Sequence, residues 1–588
     1  MIMKCSDFIA KKLSKYSDIV FSGQGGSVVH ILDSLSKIKK IKIIPSQNEQ
    51  GASLAADAYY RTTKKIAIVV ATSGPGILNA FQGMACSFYD SVPALYISGA
   101  PVTTALKKNN KLRQLGFQEM EVADITRSIT KYSVRITDVS QVNYEIEKCL
   151  SIATSGRPGP VLIDLPDDIQ RQYLDVKKQK RYVKKIFLPK INFSKIKKFS
   201  NLIKNSKKPL IIIGNGIKIS NTHKYIQKII DKYNVPFSTT WATTDLFDFF
   251  HPLNVGSIGV YATRHGNFAV QSADLLLILG SRLNGTQVGT PKLFSPNSKK
   301  IMVDLDPNEL QEENLIKIHL KINSDLNNFF KNKKISTCFK NLKVSKKWTS
   351  AIQIWKREYP VIQKSFYKEK NITNPYIFFD KLSNHCKKND IIIPDASANL
   401  VWFYQSFKPK NGQTIFTSLN HSPMGYSIAA AIGAIIGSKK NQNVIASIGD
   451  GSVQMNIQEI ENIKHFNLPI KIFILDNSGY GMVKHTIDTW LNKNYVGCDK
   501  NSGLSIPDFK KIFKAYGIKS LEIHNNQEID QKLKFIMNYK KPIMCNVKIS
   551  ENSKIEPKMK PGDPLHDMLP RLKNSEIKKA MKLGEFDA

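Results

Sequence analysis

The sequence predicts an α/β protein built from three doubly wound parallel-sheet domains, and three observations carry that prediction. Short continuous apolar runs alternate with helical patterns, as strands covered on both faces by crossover helices require. The runs fall into three blocks, separated by lysine-rich connectors around 177–208 and 331–347. Several runs end in glycine turns, where a strand hands over to a helix and the backbone can approach a ligand. A chain of 588 residues has room for such an arrangement, since domains commonly hold roughly 100–200 residues.

The first domain is expected over residues 1–170, with strands at 65–70, 94–98 and 161–164 and a helix over 50–61. The second, over 190–345, opens on a buried strand and glycine turn at 209–216 and continues through apolar runs at 274–280 and 300–304. The third, over 370–550, has strands at 390–394, 444–448 and 470–475. Between them, 426–437 (YSIAAAIGAIIG) reads as a buried helix whose small residues allow close packing. The first and third blocks share a strand–helix rhythm. The tail, 551–588, is rich in Pro and Lys and is expected to be irregular.

Composition excludes several classes. Hydrophobic residues make up 42%, enough for several cores, and the longest apolar stretch, 428–436, is far shorter than the ~20 residues of a membrane span. The N-terminus runs directly into an amphipathic pattern with no signal-peptide core, and the seven cysteines are scattered with no Cys-x-x-Cys pair. Reduced thiols in a cytoplasm are expected. The net charge of +38 would suit a nucleic-acid or membrane surface. Its lysines, however, spread over connectors and helix faces, Arg is scarce, and no nucleic-acid motif accompanies them. Neither nucleic acid nor membrane is therefore expected as a partner.

The most informative stretch is Gly449-Asp450-Gly451-Ser452, at the end of a buried strand and leading into a helix expected near Val453. Exposed amides at such a turn favour phosphate. A carboxylate beside a phosphate makes sense with a cation between them. Asn477 ends the next strand, 27 positions on. In a parallel sheet both strand ends present their oxygens at one edge. An all-oxygen set of Asp450, Asn477, a loop carbonyl and phosphate oxygens suits Mg2+.

The Gly-Asp-Gly-Ser and Asp476-Asn477 pair resembles the diphosphate-binding motif of thiamine-diphosphate enzymes. The rest of the chain resembles the acetolactate synthase large-subunit group. The matching stretches include Asn48-Glu49-Gln50-Gly51-Ala52, Thr72-Ser73-Gly74-Pro75-Gly76, Phe117-Gln118-Glu119, Gly156-Arg157-Pro158-Gly159-Pro160, Met424-Gly425-Tyr426 and Gly481-Met482-Val483. In order, they cover roughly Asp7 to Val547. The resemblance implies pyrimidine-binding, central and diphosphate-binding domains. It also implies a homodimer or homotetramer whose active site lies between the first domain of one subunit and the third of its neighbour.

The same resemblance assigns roles. Mg2+ is placed on Asp450, Asn477 and the carbonyl of Gly479. Gly449, Gly451, Ser452, Ser397 and Asn399 attend the diphosphate. Met424 and Met482 contact the cofactor, the backbone near Ser422 meets the aminopyrimidine, and Gly25 and Gly26 line the cofactor, with an ordinary tight turn as the alternative. Glu49 hydrogen-bonds the pyrimidine ring and promotes the imino tautomer that removes the thiazolium C2 proton. Read without the family, Glu49 is a helix-start carboxylate favoured by the helix dipole. Gln118 faces the reacting centre. Lys131 matches a lysine at the substrate channel, with a solvated lysine as the alternative. His421 and His485 fall in stretches near the thiazolium side, as proton relays or as structural histidines.

The implied activity is decarboxylation of a 2-oxo acid, with pyruvate as donor, and transfer of the two-carbon fragment to an acceptor. Two positions depart from acetolactate synthases. Thr286 stands where an Arg grips the acceptor carboxylate, and Thr486 where a Trp selects the acceptor. Both point to an aldehyde or a keto sugar rather than a second 2-oxo acid, unless Lys292 or Arg264 supplies the charge. A true acetolactate synthase is the alternative. A thiamine-dependent hydrolase or lyase, or a non-catalytic relative, is remoter, since Glu49, Asp450 and Asn477 are all kept. Gly214, Gly216, Arg264, Arg282 and Asp304 fall where FAD-carrying relatives hold their flavin. Other members bind a different nucleotide there or none, so FAD stays open, as does a regulatory subunit.

Overall fold

The computed structural model describes residues 1–109, 111–184, 191–311, 316–369 and 371–585. It contains three parallel sheets with helices on both faces, as the apolar runs predict. Residues 185–190 of the first lysine-rich connector lie outside the described residues.

The N-terminal sheet has six strands: Lys42–Pro45, Ile19–Ser22, Ala67–Ala71, Ala94–Ala100, Val161–Pro166 and Tyr132–Arg135, in that spatial order. The C-terminal sheet also has six: Thr414–Ile415, Ile391–Pro394, Val444–Gly449, Ile470–Asp476, Ile543–Lys548 and Lys519–Ile523. Numbered within each sheet along the chain, both run 2-1-3-4-6-5, the structural counterpart of their shared rhythm. The central sheet has five strands, Phe237–Thr239, Pro209–Ile213, Leu275–Leu279, Lys299–Asp304 and Leu320–Asn323, running 2-1-3-4-5. All these pairings are parallel.

In each sheet the first strand runs beside the third, and the connections leave in opposite directions. That reversal opens a crevice beyond the carboxyl ends of the two strands, the usual ligand position in such sheets. Three candidate clusters therefore sit at equivalent places. They are Gly25 with Thr72 in the first domain, Gly214 and Gly216 with Gly280 in the second, and Ser397 with Gly449 and Asp450 in the third.

Helix Glu49–Thr63 of the first domain packs against helix Tyr426–Gly437 of the third. Small residues permit this, as the sequence suggested. A Cβ at Gly433 would lie 1.9 Å from the carbonyl oxygen of Ala55, so only glycine fits at the contact. Leu54 and Ala58 join Ile428, Ala431 and Ile432 in one buried cluster across the domain boundary. All seven cysteines are free and buried. Among the described residues, no helix is long and apolar enough to cross a membrane.

Two expectations are corrected. The described part of the tail, to residue 585, is ordered: it pairs Lys558–Met559 with Met568–Leu569 and includes helix Asn574–Lys582. Met559, Leu565 and Ala580 bury themselves with Phe268, Val288 and Trp355 of the central region, which is what orders a stretch whose composition alone reads as irregular. The helical turn after the Gly-Asp-Gly-Ser strand starts at Asp450, not near Val453, and covers only Asp450–Val453.

Candidate functional site

In the third domain, Asp450 ties the two strand ends together. Its Oδ1 accepts from the Gly451 amide at 2.7 Å, and its Oδ2 accepts from the amides of Asn477 and Gly479, both at 3.1 Å. The pairing of strands Val444–Gly449 and Ile470–Asp476 makes this contact, through the register Gly449 to Leu475. Burial pushes the Asp450 carboxyl above the usual carboxylate range, the nearby Asp476 adds to this, and the amide donors oppose it. The ring of Tyr480 packs over Gly451, and the Gly479 backbone bridges Asp499.

Ser397 opens helix Ser397–Ser406 with φ of 65°, a left-handed backbone for a non-glycine residue. Asn399 is buried; its Nδ2 donates to the Ser447 carbonyl at 3.1 Å, while its Oδ1 has no partner. Ser422 is also left-handed, at 52°, and Met424 and Gly425 follow it into helix Tyr426–Gly437. Sequence reasoning missed Asp395, which accepts from the amides of Gly425 and Ser427 at 3.1 and 2.8 Å and anchors this loop. Its place just before Ser397, at a strand end, is the signal that could have found it.

In the first domain, Glu49 begins helix Glu49–Thr63, and Asn48 caps that helix by accepting from Gln50. The Glu49 Oε2 accepts from Asn79 Nδ2 at 3.0 Å, and its carboxyl arm packs against Gly23 and Gly76. Gln118 has φ of 58° and packs over Gly74, so Glu49, Gly25, Gly74 and Gln118 share one edge of the sheet. Gly26 is exposed beside them. Glu119 is buried and fixes the Gln118 loop by accepting from the amides of Lys107 and Leu115, each at 2.6 Å. Burial raises its carboxyl, but those backbone donors prevail and hold it below the usual range.

A cavity of about 800 Å3 lies among the three domains. Gly216, Arg282, Asp304 and Thr286 line it from the central domain, and Ser397, Ser422 and Met482 from the third. Glu49 is not among its lining residues. Asp304 ends strand Lys299–Asp304, and burial pushes its carboxyl up to about 6.

Comparison with known proteins then decides the family. Residues 3–125 match the N-terminal TPP binding domain of thiamine pyrophosphate enzymes, 196–332 the central domain, and 395–547 the C-terminal TPP binding domain. The acetolactate synthase large subunit of Porphyra purpurea is 32% identical over 559 residues, 92% of this chain and 91% of that protein. The probable acetolactate synthase large subunit of Methanocaldococcus jannaschii is 29% identical, with 100% and 99% covered. The mitochondrial acetolactate synthase of Schizosaccharomyces pombe is 29% identical, with 94% and 84% covered.

The chain belongs to the thiamine pyrophosphate enzymes. Within that family it groups with the acetolactate synthase large subunits. Its third-domain edge fits the diphosphate and metal of a thiamine pyrophosphate enzyme. Among the described residues, no group of three or more His, Cys, Asp or Glu is disposed to hold a metal. Asp450, Asn477 and Gly479 offer this edge one carboxylate, one side-chain amide oxygen and one backbone carbonyl. Such a set leaves room for phosphate oxygens and suits Mg2+. The partnerless Asn399 Oδ1 is a further polar atom at this edge.

Other candidates of this thiamine pyrophosphate enzyme fall elsewhere. Arg264 is buried and donates to the carbonyls of Met568 and Pro570 in the tail. Gly214 packs behind the cavity against Gly280. Lys131 donates to the carbonyls of Ile152 and Ser155 at the end of helix Val142–Thr154, and burial lowers its pKa to about 8. Lys292 lies on an exposed turn. Thr486 is exposed on helix Gly481–Trp490, one turn beyond Met482, whose carbonyl it bonds at 3.0 Å. His485 on the same helix has a buried, partnerless Nδ1, and burial foremost lowers its pKa. His421 stacks on Tyr89, a cavity-lining residue, at 5.8 Å.

Proposed function

We propose that the chain is a thiamine-diphosphate- and Mg2+-dependent enzyme that takes a two-carbon unit from pyruvate and delivers it to an aldehyde or a keto sugar. The single observation that carries this reading is the Asp450 carboxylate spanning two strand ends, in a chain that keeps Glu49 at the matching edge of the first domain. When bound, thiamine diphosphate supplies the electron sink that decarboxylation needs.

The chain's own residues do the rest. Asp450, Asn477 and the Gly479 carbonyl hold the metal, and Ser397, Asn399, Gly449, Gly451 and Ser452 receive the diphosphate. Met424 and Met482 support the cofactor's body, and the backbone near Ser422 meets its aminopyrimidine. Glu49 holds the proton shared with a ring nitrogen, at a half-buried position where a carboxylate can exchange it. Gly25, Gly26 and Gln118 complete that edge.

The active site forms between subunits in this reading. Support comes from the separation of its halves within one chain: Glu49 faces Gly23, Gly76 and Asn79, while Ser397, Ser422 and Met482 line a cavity it does not reach. The first domain of a second copy supplies the missing half, in a homodimer or homotetramer. The central cavity suits FAD or another nucleotide, with Gly216, Arg282 and Asp304 on its wall and a volume typical of small-molecule sites. Purified protein given pyruvate and a panel of acceptors, followed by mass spectrometry of the products, tests the function. Carbon dioxide release with a two-carbon adduct on the acceptor is expected; no product that requires thiamine diphosphate would overturn it.

A further inference from the structure

A closed ring of polar contacts joins all three domains around the central cavity, and six cavity-lining residues make it. From the first domain, Asp90 and Ser91 follow helix Phe81–Tyr89. Asp90 Oδ1 accepts from Asn420 Nδ2 at 2.6 Å. Asn420 Oδ1 accepts from Arg282 Nη2 at 2.7 Å, and Arg282 Nη1 lies 3.8 Å from Glu309 Oε1. Glu309 Oε1 also takes Arg157 Nη1 at 2.6 Å, and Arg157 Nε donates to Ser91 Oγ at 2.9 Å, closing the ring.

The ring grips one loop in particular. Besides the side-chain bond, Asp90 accepts the backbone amides of Leu419 and Asn420 at 2.9 and 3.1 Å, and Arg61 holds Asp90 from behind at 2.9 Å. The same loop reaches Ser422 two residues later, in a left-handed backbone with φ of 52°. A non-glycine residue keeps such a conformation only where its surroundings over-determine it. Asp395 fixes the far side of the loop at Gly425; the ring fixes the near side.

We propose that Asn420 and Arg282 are positioning residues for thiamine diphosphate: Arg282, from the central domain, sets through Asn420 the loop that presents Ser422 and Met424. The inference rests on the reading that this loop faces the cofactor's aminopyrimidine. Arg282 itself lines the cavity from the central domain, so its effect on thiamine diphosphate travels through the ring. A planar guanidinium suits the task because its fork reaches Asn420 and Glu309 together, which a lysine point charge does not.

The test is a calorimetric titration of the full-length protein with thiamine diphosphate in saturating Mg2+, with and without added FAD. Asn420→Ala and Arg282→Gln are each expected to weaken binding about 10-fold, and the double variant no more than about 20-fold, because residues of one network are non-additive. Independent effects would multiply to about 100-fold. Arg282→Lys is expected to fall between wild type and Arg282→Gln, and covers the case in which a larger change prevents folding. A purely scaffolding role would lower the melting temperature and leave the affinity of the folded variants unmoved. Wild-type affinity in Arg282→Gln, losses that multiply, or losses seen only with FAD present would each overturn the proposal. Failure of the wild-type protein to bind thiamine diphosphate would instead remove the reading beneath it.

Discussion

Glu459 of the C-terminal domain accepts the backbone amide of Asn48, the residue immediately before Glu49, at 3.1 Å. Its other oxygen accepts from Asn462 Nδ2 at 2.8 Å, so the carboxylate is held from both sides. Gly51 makes room for it, since a Cβ there would lie 2.3 Å from Glu459 Oε1. The turn carrying Glu49 is thus fixed by the same chain's third domain, along the segment that follows Asp450. Glu459 adds a buried polar tie to the packing of helix Glu49–Thr63 against helix Tyr426–Gly437.

Stability should fall with rising pH because of Glu459. Burial pushes its carboxyl from 4.5 up to about 7, against the opposing hydrogen bonds from Asn462 and the Asn48 amide. A group whose pKa is raised on folding binds more protons in the folded chain. Its contribution is full below the unfolded value near 4.5 and is lost as pH rises through 7. A shift of this size corresponds to about 3 kcal/mol across the window. Urea unfolding at several pH values should show that decline in the wild type and a flatter profile in Glu459→Gln. Parallel profiles would show that Glu459 does not titrate in this range.

Glu49→Gln should bind thiamine diphosphate near wild-type affinity and lose turnover by about 100-fold or more. The amide keeps a hydrogen-bonding group in place but cannot share the proton, and acid–base contributions of this kind are typically 100- to 10,000-fold. Exchange of the cofactor's C2 proton in heavy water, followed by NMR, reports the step directly. Exchange at the wild-type rate would take Glu49 out of the chemistry.

Asp450→Ala should abolish metal-dependent cofactor binding. The change removes a metal donor, and it also frees the amides of Gly451, Asn477 and Gly479, which Asp450 now accepts. Calorimetry with thiamine diphosphate and Mg2+ should give at least about 100-fold weaker binding, in line with the loss of a charge-assisted contact together with its buried partners. Unchanged affinity would place the metal elsewhere.

Most of the fold was legible because its signals are local. Continuous apolar runs such as Leu275–Leu279 name their strands, and glycine turns after them mark the crevices. Asp450 and Asn477 stood out because each ends a strand. The tail was misread because its anchors, Met559, Leu565 and Ala580, are isolated among lysines and acquire meaning only against Trp355 and Phe268. Asp90, Asn420 and Glu459 escaped for a related reason: their partners lie hundreds of residues away, and nothing in a carboxylate's sequence neighbourhood announces a cross-domain amide. The resemblance placed Arg264 among the flavin contacts, yet its guanidinium is taken by tail carbonyls.

The acceptor should be something other than a free 2-oxo acid. Thr286 lines the central cavity, and its hydroxyl donates to Asn284 Oδ1 at 2.8 Å within a capped helical turn, so it offers no charge to a carboxylate. Neither alternative source replaces it. Arg264 is turned into the tail, and Lys292 sits on an exposed turn outside the cavity lining. The guanidiniums that do line the cavity, Arg157 and Arg282, are engaged by Glu309 and Asn420. Thr486, one turn beyond the cavity-lining Met482, is exposed and puts a small polar side chain there in place of a bulky ring. Loss of a charge-assisted pair weakens carboxylate binding by roughly 1.5–3 kcal/mol, or about one to two orders of magnitude. Pyruvate would still serve as donor in the proposed reaction, because Thr286 and Thr486 bear on the acceptor. Slow acetolactate formation from pyruvate alone is therefore expected, with faster pyruvate consumption once a keto sugar carried on a nucleotide is added. Thr286→Arg should raise acetolactate formation and lower use of the sugar. Efficient acetolactate synthesis by the wild type, saturating at ordinary pyruvate concentrations, would make the protein an acetolactate synthase proper.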